Sequence, residues 1–143
     1  MAQAQLKESL SVPASKLFSV ITKYEDYPSF VEGCSRVEVT RGESGRARVV
    51  YFVNMIKEIS YTLDHISDEA TAEMSWSLVQ SDFLKKNLGG WKIKPKGDSN
   101  CEVEYSVDID FKFPVPGMIL SRLVKSNLPS MIRNFEKRAK QLN

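Results

Sequence analysis

Cys101-Glu102-Val103-Glu104-Tyr105-Ser106-Val107-Asp108-Ile109-Asp110-Phe111 is the stretch that decides the fold. Cys101, Val103, Tyr105, Val107, Ile109 and Phe111 share one parity, while Glu102, Glu104, Ser106, Asp108 and Asp110 share the other. Successive side chains of a strand point to opposite faces, so this segment reads as a strand with one buried and one wetted face. Such a strand belongs to an antiparallel sheet covered on one side only. Working upstream, the same period of two recurs. Thr71 to Val79 puts Ala72, Met74, Trp76 and Leu78 together, and Glu58 to Ile66 does so for Ile59, Tyr61, Leu63 and His65, with Ser67 to Ala70 as the turn between. Cys34 onward pairs with Arg46 to Met55 as a hairpin across Gly42 to Gly45. Phe83 to Lys94 reads as a strand interrupted at Gly89-Gly90 by a turn or bulge, and Ala4 to Ser11 as a first strand.

The remaining segments are helical. Pro13 suits the first turn of a helix that carries Leu17, Phe18, Val20 and Ile21 and ends near Lys23. Tyr24 to Val31, with Pro28 inside it, forms a second short helical turn or a capped loop, a lid or wall. From Pro116 to Asn143 the apolar positions Leu120, Leu123 or Val124, Leu128, Met131 or Ile132, Phe135 and Ala139 are spaced by three and four, and Pro129 should kink the helix or split it. The chain is therefore predicted to be an α+β protein, a curved antiparallel sheet of six to seven strands around a long C-terminal helix, with two short helices after the first strand. At 143 residues it forms a single domain, 1–143.

Composition excludes several function classes. With 42% hydrophobic and 27% charged residues the chain is globular rather than disordered. Twenty Lys+Arg against eighteen Asp+Glu leave +2, too little for a whole-protein field that would hold DNA. Two cysteines make no disulfide framework, and neither a signal peptide nor a membrane span is evident, so a cytoplasmic protein is expected, at most peripheral to the inner face of a membrane. A lone histidine, His65, argues against a metal site, and no nucleophile elbow, phosphate loop or dinucleotide fingerprint occurs, so no cofactor is called for.

What remains is an apolar, aromatic and sulfur-rich concave face. Tyr51, Met55, Tyr61, His65, Met74, Trp76, Trp91, Tyr105 and Phe111 project onto it, and Leu120 and Val124 of the helix face it. These are candidate ligand contacts for a hydrophobic molecule, against the alternative that each only fills the core. Glu8 falls on the side of Leu6 and Leu10, where it is either buried with a partner or exposed at an edge or bulge. Residues 116–143 carry six cations against one carboxylate, Glu136, and Lys85, Lys86, Lys92, Lys94 and Lys96 form a second basic run. These could meet anionic headgroups or RNA phosphate, or be an ordinary solvated surface. Phe111 to Ile119 is either a membrane-touching gate or a buried strand-to-helix corner.

Four segments carry a resemblance in order along nearly the whole chain: Ser11-Val12-Pro13-Ala14 leading into Leu17-Phe18; Tyr27-Pro28-Ser29-Phe30-Val31 followed by Cys34; Leu88-Gly89-Gly90-Trp91-Lys92-Ile93-Lys94-Pro95; and Asn134-Phe135-Glu136-Lys137-Arg138-Ala139. The sequence resembles the coenzyme Q-binding, START-like branch of the polyketide cyclase/dehydrase (SRPBCC) superfamily. That resemblance implies a helix-grip fold with a hydrophobic cavity between sheet and C-terminal helix. Three functions stay open: non-catalytic binding of an isoprenoid quinone or lipid by a monomer, an aromatase/cyclase-like enzyme, and a regulator similar to the family's ribosome-associated toxins, whose basic helix would touch ribosomal RNA. Of these, non-catalytic binding is the expected one.

Overall fold

The computed structural model describes residues 2–54 and 57–142. Seven strands form one antiparallel sheet: β1 (Ala2–Leu10), β2 (Cys34–Arg41), β3 (Arg46–Asn54), β4 (Glu58–Asp68), β5 (Glu73–Ser81), β6 (Leu84–Pro95) and β7 (Cys101–Phe111). Their order across the sheet is β1-β7-β6-β5-β4-β3-β2, so β2 to β7 form a meander and β1 closes the edge beside β7. Between β1 and β2 the chain crosses the concave side through α1 (Ala14–Ile21), a 3₁₀ turn (Tyr24–Asp26) and α2 (Tyr27–Phe30). It ends in a long helix made of α3 (Gly117–Arg122), a π-helical stretch (Leu123–Asn127) and α4 (Leu128–Lys140). This is the helix-grip arrangement expected from the sequence.

The alternation of β7 is realised: Cys101, Val103, Tyr105, Val107 and Ile109 are buried, and the even-numbered residues between them face out. Two readings are corrected. The strand β6 runs through Gly89-Gly90 without a break. A Cβ on Gly89 would lie 2.1 Å from the Ser106 carbonyl oxygen and 2.7 Å from Cζ2 of Trp76, so this glycine marks a close approach, with the Trp76 indole lying where its side chain would be. The turn between β4 and β5 sits over Glu69–Ala72 rather than Ser67 to Ala70. There the Ala70 N–H donates to Asp68 Oδ1 at 2.9 Å and Ala72 takes φ 54°, while Ser67 and Asp68 remain paired with Met74 and Glu73. The C-terminal helix is interrupted at Pro129, as expected: a π stretch separates α3 from α4, and Pro129 lies in the first turn of α4, where its missing N–H cannot donate to the carbonyl one turn earlier.

The helix is fixed to the sheet by one buried stripe and a flank of ion pairs. Leu128, Ile132, Phe135 and Ala139 are buried. The Phe135 ring meets those of Phe30, Trp91 and Tyr27 at 5.0, 5.1 and 5.3 Å, edge-to-face geometry that favours such pairs. On the β1 side, Arg133 donates to Glu8 at 3.0 Å and to Glu136 at 3.2 Å, while Glu136 accepts the Ser11 N–H at 2.7 Å. Glu8 thus faces inward, half-buried and paired, on an edge strand whose register is regular there.

Gly89→Ala should lower the stability of the fold by about 3 kcal/mol, because the Ser106 backbone cannot move aside as a side chain would. Gly117→Ala, with nothing within 4 Å of its added methyl, should change stability by no more than about 0.5 kcal/mol. Urea denaturation of the two variants checks both; equal midpoints would contradict the close approach at Gly89.

Candidate functional site

The inward rows of β3 to β7, the end of α2 and the underside of the long helix enclose a cavity of about 370 Å³. Its position follows from register. His65 of β4 stands opposite Trp76 of β5, which stands opposite Gly89 of β6. In the neighbouring row Met74, Trp91 and Tyr105 lie side by side, and Tyr51 pairs with Tyr61 across β3 and β4. Tyr51 and Tyr61 are stacked with centroids 5.3 Å apart. The buried wall is continued by Leu63, Val107, Ile109, Leu128 and Phe135. Glu32, Asn54, Asn127 and Ser130 line the cavity yet are exposed, so the mouth opens between the loop after α2, the end of β3 and the π stretch of the helix.

The polar groups divide into those already engaged and those left free. His65 is held between Tyr51, whose hydroxyl lies 2.8 Å from Nε2, and Met74, whose Sδ lies 3.2 Å from Nδ1. A thioether can only accept, so the ring proton belongs on Nδ1 and Nε2 accepts from Tyr51. The Tyr24 ring covers the imidazole at 4.4 Å. Burial pushes the His65 pKa down to about 3 against a smaller opposing pull from Asp64, which keeps the ring neutral. Trp76 donates its indole N–H to Asn87 Oδ1 at 2.9 Å, and the Asn87 amide N–H groups bond to no described residue. Tyr61 and Tyr105 also line the cavity, and their hydroxyls bond to no described residue. Burial raises both phenols well above their ordinary range, so they remain protonated donors. Cys34 also faces the cavity, its thiol pushed up by burial and therefore protonated at neutral pH. Among the described lining residues there is no Lys or Arg, and the one carboxylate, Glu32, is at the rim.

Of the residues singled out in the sequence, Tyr51, Tyr61, His65, Met74, Trp76, Trp91 and Tyr105 come together on this wall. Phe111 lies off the cavity and packs with Phe113 at 5.8 Å. Leu120 and Val124 do not line it either; Leu123, on the π stretch, takes their place as the first residue of the helix to reach the cavity. Met55 lies outside the described residues. Several lining residues escaped the sequence reading, Asn87 and Cys34 among them. Asn87 shares parity with Gly89 and Trp91, and counting back from Trp91 would have found it. Cys34 precedes a register shift in β2, which hides its parity.

A family model described as "Polyketide cyclase / dehydrase and lipid transport" matches residues 10–136. Ribosome association toxin RatA of Vibrio cholerae is 29% identical over 145 residues, covering 99% of this chain and 98% of the relative. The mitochondrial coenzyme Q-binding protein COQ10 of Dictyostelium discoideum is 25% identical over 143 residues, covering 96% of this chain and 69% of the relative. A START superfamily protein from Mycobacterium smegmatis has a solved structure that superposes with a TM-score of 0.86 at 20% identity, with 100% of each chain covered.

The buried neutral imidazole makes the fold acid-sensitive. Unfolded His65 titrates near 6.5 and folded His65 near 3, so between these values the unfolded chain binds the extra proton; stability is complete above about pH 6.5 and falls as the pH drops. At pH 4 the loss from this residue is about 3 kcal/mol. His65→Gln should therefore lose less stability than wild type between pH 7 and pH 4, measured by urea unfolding. An equal loss in both proteins would assign the sensitivity to Asp64, Glu25 and Glu136, whose ion pairs and hydrogen bonds lower their pKa values.

Proposed function

Because this chain belongs to the polyketide cyclase/dehydrase and lipid transport family, we propose that it binds, without transforming, a neutral apolar molecule that carries carbonyl oxygens, of the isoprenoid quinone kind. The observation that carries this reading is the imbalance inside the cavity: largely apolar walls, no cation among the described lining residues, and donors on Tyr61, Tyr105 and Asn87 that bond to no described residue. A fatty-acid carboxylate or a phosphate headgroup would be buried there with no cation among the described lining residues to offset its charge, at a cost of several kcal/mol. A carbonyl oxygen instead accepts from Tyr61, Tyr105 or the Asn87 amide while its ring packs between Trp76 and Trp91. A volume of 370 Å³ is at the lower end of ligand pockets, roughly 300–1,000 Å³. It suits a headgroup with the first part of a tail, the rest leaving by the mouth. Such cargo resides in a bilayer, so the protein works as a peripheral partner of a membrane. The relationship to COQ10, named for coenzyme Q binding, supports the same ligand class.

Turnover fits less well. A cyclase needs a group that takes a proton at neutral pH. Here His65 Nε2 is occupied by Tyr51, the phenols are held protonated, and Glu32 stands exposed at the rim.

Both tryptophans of the chain line the cavity, so their fluorescence reports occupancy directly. A soluble short-chain benzoquinone should quench it saturably. Tyr61→Phe and Tyr105→Phe each remove only a hydroxyl, and at about 1 kcal/mol per hydrogen bond each hydroxyl that meets the ligand should be worth about a fivefold increase in Kd. Linear, unsaturable quenching would refute binding, and unchanged affinity in both variants would refute the donor assignment.

A second reading rests on the relatives named for ribosome association and on the basic surface of α4, where Lys137 and Lys140 are exposed. It requires co-sedimentation with ribosomal subunits at low salt that is lost steeply as salt rises. No sedimentation at low salt would end it.

A further inference from the structure

We propose that the segment from Phe113 to Lys125 is a lip by which the protein docks on an anionic lipid bilayer, with the cavity mouth turned toward the surface. The inference rests on the quinone-type reading only for its purpose; the docking itself follows from the surface. Met118 is 73% exposed and Ile119 40%, the most concentrated exposure of large aliphatic side chains in consecutive residues among those described. α3 contributes no buried residue, so the packing of the core does not account for its apolar character. An exposed aliphatic helix joined to the fold by Phe113-Pro114-Val115-Pro116 presents its face to whatever approaches that end of the molecule.

Charge identifies the partner. From Phe111 to Phe135 the chain has no Asp or Glu. Lys112, Arg122 and Lys125 are exposed and have no carboxylate partner among the described residues, and Lys57 stands over the rings of Phe83 and Phe113 at 4.6 and 5.8 Å. Lys112 donates to the Ser81 carbonyl at 2.7 Å, which leaves its charge without a counter-ion, and aliphatic residues flanked by cations without carboxylate partners match the interface of an acidic membrane, where the apolar face enters the acyl boundary and the cations meet headgroups. RNA would call for exposed rings free to stack on bases, whereas the rings at this end, Phe83 and Phe113, pack edge-to-face on each other at 6.2 Å and the most exposed apolar residues there are Met118 and Ile119. By contrast, the exposed Ile66, Val79 and Leu88 of the outer sheet face are spread over three strands among serines and carboxylates, which names no partner.

Position links the lip to the cavity. Ile119 and Leu123 are four residues apart on one helix, hence on one face, and Leu123 lines the cavity. An apolar track thus leads from the exposed tip into the mouth, and a tail too long for 370 Å³ can follow it into the bilayer without crossing water.

The test is flotation of the intact protein with vesicles of phosphatidylcholine alone and of phosphatidylcholine with about one quarter phosphatidylglycerol. Wild type should bind the anionic vesicles and barely the neutral ones. Arg122→Gln with Lys125→Gln should weaken binding about 25-fold, about fivefold per cation. Met118→Ser with Ile119→Ser should weaken it tenfold or more while leaving the melting temperature unchanged, since neither side chain is buried. Equal binding to both vesicles, unchanged binding in both double variants, or binding to ribosomal RNA with no binding to either vesicle would overturn the proposal. Quinone quenching of the same variants in vesicle-free buffer separates the two claims. Wild-type quenching without vesicle binding removes the lip and leaves the cavity reading; vesicle binding without saturable quenching does the reverse.

Discussion

A single helix cannot fill the concave side of a seven-stranded sheet, and everything functional in this protein depends on that mismatch of widths. The long C-terminal helix is drawn down at one end only, where Phe135 meets Tyr27, Phe30 and Trp91. The other end, α3 and the π stretch, has no fully buried residue, and only Leu123 and Val124 pack partly buried against the core. Between the two the inward side chains of β3 to β7 face one another across empty space rather than across a packed core. The cavity is therefore a consequence of architecture, and the ring cluster around Phe135 sets its depth.

The chemistry of that space is set by burial. Desolvation works against every charged form, and the groups around the cavity respond alike: the imidazole of His65 stays neutral, the phenols of Tyr61 and Tyr105 and the thiol of Cys34 stay protonated. A site without ions on its walls selects a ligand without ions. The pair formed by Tyr51 and His65 satisfies both partners internally and serves the wall, whereas the hydroxyls of Tyr61 and Tyr105 and the amide N–H groups of Asn87 bond to no described residue and are the donors the proposed guest would meet. The free energy for binding comes from apolar area, and the donors orient what enters.

The strands were legible in the sequence because their burial is one-sided, which writes the period of two directly into residue types; β7 is the clearest case, and the wall residues from Tyr51 to Tyr105 followed from the same parity. What escaped was whatever breaks a period. Gly89 looked like an interruption because a missing side chain carries no sign of what occupies its place, here the Trp76 indole. Leu123 rather than Leu120 or Val124 reaches the cavity because a π turn rotates the helix face upstream of Pro129, and residue spacing alone does not record that extra residue. Cys34 sits beside a register shift, so its facing could not be counted from its neighbours. The chemistry of the ligand was the least legible, since it depends on which hydroxyls remain unpaired after folding.

Native mass spectrometry of gently purified protein, followed by extraction and identification of what it carries, tests the central claim most directly. One equivalent of a neutral, carbonyl-bearing isoprenoid is the predicted result. One equivalent of a fatty acid or phospholipid in the same cavity would contradict it, because the described walls offer no cation to offset that charge.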